Sequence, residues 1–189
     1  MASKAETITL ADGRTLCFAR YGARGGRPVI YLHGAGLCRI DGENYDAAAR
    51  AAGIDFIATD RPGCGGSSPE PVRTFTSYAH DLEQLADQLG IGRFVVAGMS
   101  NGGAYAMAAA HVLRDRVSAA MPINSSTPMH DPVARKVSPL IVRWIYPLMK
   151  RPFMVRMTLR NQERIMHAPQ TNERVGRSMR EAMRQPESG

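Results

Sequence analysis

Gly98-Met-Ser-Asn-Gly-Gly103 sets one serine among glycines, directly after the apolar run Phe94-Val-Val-Ala97 and directly before the alanine-rich segment Ala104-Tyr-Ala-Met-Ala-Ala-Ala110. The pattern G-x-S-x-G arises often by chance, and a glycine-rich turn with an incidental serine is the competing explanation. The setting is more specific than the pattern. A nucleophile elbow needs a strand that runs into a sharp turn and then a helix, because that turn holds the serine backbone in a strained conformation and exposes its hydroxyl. Side chains two before and two after the serine would collide across such a turn, and Gly98 and Gly102 occupy those positions. Gly103 leaves room for the helix to lie close to the strand, and a helix N-terminus beneath Ser100 favours negative charge developing there.

Outward from this stretch, the chain alternates strand and helix signals. Glu6–Leu10 and Arg14–Tyr21 alternate apolar with polar around the turn Ala11-Asp-Gly13, which predicts an antiparallel hairpin. Pro28–Leu32, Asp55–Thr59, Arg93–Ala97 and Val117–Asn124 read as strands, the first three as short apolar runs suited to burial on both faces. Helices are predicted over Glu43–Ala52, over Phe75–Leu89 with Thr76 or Ser77 as N-cap, and over Asn101–Leu113. This order predicts an α/β fold: a mostly parallel sheet of about six strands, opened by the hairpin and flanked by helices. Beyond Ser125 the pattern turns helical, with prolines at 147 and 152 and six of the 11 methionines between 149 and 183. The predicted organisation is therefore a core over 1–126 and a helical segment over 127–189.

Two further loops follow predicted strands. Tyr31-Leu-His-Gly-Ala-Gly36 closes one of them, and its amides can face an oxyanion formed at Ser100. In acyl transfer each such donor supplies about 3–4 kcal/mol. Asn101, the residue after the serine, offers one N–H; the second comes from Ala35, with Gly36 the close alternative. His33 and Gly34 shape the turn, and the His33 imidazole reads as a hydrogen-bonded brace, since it follows the wrong strand for a general base. Asp60-Arg-Pro-Gly-Cys-Gly-Gly-Ser-Ser68 is the second loop, where Asp60 and Arg61 tie the backbone through hydrogen bonds.

Three motifs in this order, HGAG, DRPGCGGSS and GMSNGG, resemble the α/β-hydrolase superfamily, in particular its lidded serine hydrolases, over roughly residues 6–127. The resemblance implies an eight-stranded sheet, Ser-His-acid catalysis without a cofactor, and a helical lid after the sixth strand, which the stretch from about Thr127 matches. It also implies an acid and a histidine late in the chain, after the seventh and eighth strands. Only 89 residues follow Ser100. Of the downstream candidates, His111 falls in the predicted elbow helix, His130 and His167 in the lid or its approach, and Asp115 and Asp131 flank the sixth strand. None stands at a strand end that would bring a base within about 3 Å of the serine hydroxyl. The expectation is an incomplete hydrolase fold, an N-terminal portion with little activity by itself. A non-catalytic interaction protein built on the same half-fold is the alternative.

Composition narrows the classes. Cys17, Cys38 and Cys64 are odd in number and widely spaced, which fits reduced thiols and implies neither disulfide nor metal site. The chain opens without a charged and apolar leader, so a cytoplasmic location is expected. The longest apolar stretch, Ser138–Met149, counts 12 residues and carries Arg143, too short for the roughly 20 a membrane span needs. The net charge of +7 lies wholly in residues 131–189, whose 12 basic and 5 acidic side chains do not cluster with base-stacking aromatics or form a known nucleic-acid motif. That pattern predicts no nucleic-acid partner. The expected partners are a small apolar substrate and, through an uncovered sheet edge, a second copy of the chain.

Overall fold

The computed structural model describes residues 5–125 and 131–137, with further positions at 140, 147, 151, 153, 154, 156, 157 and 160. The chain divides into two compact units, Met1–Ser126 and Thr127–Gly189. In the first, six strands form one sheet: β1 (Glu6–Thr9), β2 (Thr15–Gly22), β3 (Arg27–Leu32), β4 (Ile54–Thr59), β5 (Phe94–Met99) and β6 (Val117–Ile123). Their spatial order is β1-β2-β4-β3-β5-β6. β1 and β2 form the predicted antiparallel hairpin, β2 also runs antiparallel to β4, and the remaining pairs are parallel.

Alternation along the inner strands sorts side chains to two cores. Ile30, Leu32, Ile57, Phe94 and Val96 meet Tyr78, Leu82, Leu85, Ala106 and Ala109 of α2 (Phe75–Gln88) and α3 (Asn101–Val112). Their strand neighbours Tyr31, Phe56, Ala58 and Ala97 face the other way and pack with Ala49 of α1 (Asp46–Ala51) and with Tyr45. Helices therefore cover both faces. A partly buried ion pair fastens the hairpin to this assembly: Arg14 grips Asp81 on α2 with two bonds of 2.7 and 2.9 Å.

Two local expectations are corrected. The helix expected over Glu43–Ala52 begins as a 3-10 segment at Arg39–Tyr45 and becomes α only at Asp46. Tertiary packing sets that geometry. Gly42 lies so close to the Tyr21 ring that a β-carbon there would stand 2.6 Å from it, and the Asp41 carboxylate accepts a hydrogen bond from the Tyr31 hydroxyl. The N-cap of α2 is Thr74, one residue outside the expected helix: its hydroxyl accepts from the Ser77 N–H at 2.9 Å, while the Ser77 hydroxyl accepts from the Thr74 N–H. Ser77 is the partner in the capping box, a role usually taken by Glu or Gln.

Most of the predicted lid lies outside the described residues. Within the second unit α4 (Pro132–Val137) is described, opened by Asp131, whose carboxylate accepts from the Val133 N–H at 2.7 Å. Among the described residues no helix is long and apolar enough to cross a membrane.

Candidate active site

Strand β5 ends at Met99 and α3 starts at Asn101, so Ser100 alone makes the turn between them. Its backbone stands at φ 52° and ψ −119°. For a residue with a β-carbon that conformation costs about 1–3 kcal/mol and persists only where the surroundings fix it. Here the surroundings do: the Ser100 N–H donates to Ile123 O at 2.9 Å, and the Gly103 N–H donates to Ser100 O at 3.1 Å.

The flanking glycines are required by contact. A β-carbon on Gly98 would lie 2.2 Å from the carbonyl oxygen of Gly102, and one on Gly102 would lie 2.0 Å from that of Leu32. Gly103 is crowded by Ser125, two residues beyond β6. Strand, turn and helix thus approach at backbone distance, which leaves the half-buried Ser100 hydroxyl with no hydrogen-bond partner among the described residues.

The loop after β3 lies against this turn. A β-carbon on Gly34 would be 3.5 Å from Ser100 Cβ, so His33-Gly34-Ala35 borders the serine directly. Ala35 is exposed, and its N–H has no acceptor among the described residues. The Asn101 N–H occupies the first position of α3, where an amide has no acceptor within the helix. Among the described residues, two amides without an acceptor, those of Asn101 and Ala35, thus belong to the turn that carries the serine and to the loop that borders it. Gly36 continues the same loop at φ 75°.

His33 is fully buried and both ring nitrogens are engaged. Nε2 accepts from the Arg61 N–H at 3.3 Å, which leaves the proton on Nδ1 to donate to Gly34 O at 2.8 Å. Burial holds its pKa below the usual histidine value, so the ring is neutral at pH 7. Asp60 is buried and accepts from the Arg39 N–H, the Arg39 guanidinium and the Gly66 N–H, at 2.6, 2.6 and 2.8 Å. It anchors the glycine loop to the 3-10 segment. Arg61 turns inward, donates from Nη2 to Gly34 O at 2.9 Å and lies 5.3 Å from the centre of the Tyr105 ring. Sequence reasoning missed Tyr105, although a lone large ring in a run of alanines and glycines was a visible signal.

An open cleft of about 570 Å³ adjoins the loop, with Gly36, Leu37, Cys38 and Ile40 among its lining. Of the downstream candidates, His111 is exposed in the last turn of α3 and Asp115 is exposed in the turn beyond it. Asp131 belongs to the second unit, and His130 and His167 lie outside the described residues. No cluster of three or more metal-binding side chains occurs among the described residues.

A strained serine between strand and helix, bordered by a loop with an unengaged amide on a largely parallel sheet, defines an α/β-hydrolase core. The family model for the alpha/beta hydrolase fold matches residues 27–181, and the chain belongs to that family. Non-heme chloroperoxidase of Streptomyces lividans is 34% identical over 98 residues, 51% of this chain and 36% of that protein. Among solved structures, epoxide hydrolase A of Mycobacterium thermoresistibile aligns with a TM-score of 0.58 and 26% identity, over 64% of this chain and 38% of its own. An esterase of Exiguobacterium antarcticum shares the fold with a TM-score of 0.58 and 24% identity, over 68% of this chain and 47% of its own. The chain spans about a third to a half of the length of these relatives.

Proposed function

We propose that this chain carries the nucleophile half of a serine hydrolase active site. Ser100 attacks the carbonyl carbon of an ester, amide or similar bond, and the Asn101 and Ala35 amides receive the negative charge that develops on the carbonyl oxygen. The observation that carries this is the Ser100 backbone at φ 52°, a conformation with no evident use in a mere turn, where glycine would serve at lower cost. The adjoining cleft is lined by the exposed Leu37 and Ile40 as well as by Asp41, Glu43 and Asn44, and its apolar part suits a small apolar substrate.

Both ring nitrogens of His33 are committed to the loop, so the general base is a different histidine, paired with an acid. Little turnover is expected of these 189 residues alone. The reaction uses no cofactor, the protein is cytoplasmic, and the edge position of β6 among the described residues supports self-association. In a form of the protein that carries a complete triad, a fluorophosphonate is expected to label Ser100 and p-nitrophenyl acetate to be hydrolysed, and Ser100→Ala is expected to abolish both. Activity that survives Ser100→Ala overturns the proposal.

A further inference from the structure

Arg61 is 5% exposed, yet no carboxylate pairs with it among the described residues, and its Nε has no hydrogen-bond partner there. A buried guanidinium without a counter-ion is costly. Its side-chain contacts gather on the His33–Gly34 pair, with Nη2 also standing 3.4 Å from His33 Nδ1. Nη2 donates to Gly34 O at 2.9 Å, and the Arg61 main-chain N–H holds His33 in the tautomer whose Nδ1–H donates to the same oxygen at 2.8 Å. The Tyr105 ring supports the guanidinium from one side.

Gly34 O and the Ala35 N–H belong to one planar trans peptide and point in opposite directions. Whatever fixes the oxygen fixes the N–H. We infer that Arg61 is the positioning residue of the oxyanion loop: it clamps the Gly34 carbonyl directly and through His33, and so holds the Ala35 N–H turned away from the clamp, open to a developing oxyanion. A donor bonded to the carbonyl also polarises the N–H of the same peptide, which strengthens it as a donor. The use of that N–H in catalysis rests on the serine hydrolase proposal; the clamp itself does not.

The test is a measurement on this chain that needs no turnover. In ¹⁵N-labelled protein the Ala35 amide is expected to be rigid, with an order parameter of about 0.85. In Arg61→Met the order parameter of Ala35 is expected to fall below about 0.6, while the amides of β3 and β5 keep theirs. Arg61 acting only to stabilise the fold would lower the unfolding midpoint and leave Ala35 as rigid as its neighbours. An Ala35 order parameter and N–H dipolar coupling unchanged in Arg61→Met overturn the inference. Should that variant fail to fold, Arg61→Lys decides: it keeps the buried cation but loses the planar fork, so the Ala35 coupling changes if the clamp is real and stays put if it is not. Failure of the hydrolase proposal shows separately, as fluorophosphonate labelling indifferent to Ser100→Ala.

Discussion

β5 and β6 lie side by side, parallel and hydrogen-bonded, and both are built from small and apolar residues. Their fates differ. β5 has β3 on one side and β6 on the other, and four of its six residues are buried. β6 stands at the edge of the described sheet, none of its seven residues is buried, and Met121 is 53% exposed. The strand that carries the serine is thus held from every side, whereas the one next to it contributes mainly a backbone: Ile123 O accepts from the Ser100 N–H, and Ser125 crowds Gly103. Rigidity is placed where a strained residue must be maintained, and the edge strand supplies the brace.

That contrast can be broken most severely at Phe94, which is 1% exposed at the start of β5. Phe94→Ala is expected to cost about 3–5 kcal/mol, read as a lowered urea midpoint. Next in size is Gly102→Ala. Its β-carbon would meet a main-chain oxygen at 2.0 Å, so the elbow must shift, at a cost of about 3 kcal/mol in the same assay. A smaller effect concerns His33. Its folded pKa lies below the unfolded value of 6.5, so the stability it contributes is fully present above pH 6.5 and is lost as pH falls through the folded pKa. Urea midpoints measured downward from pH 6.5 are expected to decline, with a shallower decline in His33→Gln. At the far end of the scale, Met121→Ala on β6 is expected to change stability by less than about 0.5 kcal/mol. A loss comparable to that at Phe94 would mean that β6 is covered, and would erase the contrast.

Much of this was legible in the residues. The hairpin, the strand and helix order, and the requirement for glycine at 98 and 102 follow from periodicity and from the sterics of a sharp turn, all short-range in sequence. The cap of α2 was misplaced by local pattern alone, since Thr74, Thr76 and Ser77 are all chemically able to cap and the helix start decides among them. The 3-10 segment after Cys38 was not legible either, because its shape depends on Tyr21 and Tyr31, which reach it across the fold.

The sequence by itself determined the alternation of elements, the position of the serine between strand and helix, and the candidacy of Ala35 and Asn101 as donors. Only the tertiary structure decided that β4 lies between β2 and β3, that the loop after β3 borders Ser100, and that Arg61 is buried against Gly34 O with no counter-ion among the described residues. The physical reason is range. Backbone preference and side-chain period act over a few residues, whereas burial, desolvation and the pairing of Arg61 with a carbonyl 27 positions earlier arise only when distant segments are brought together.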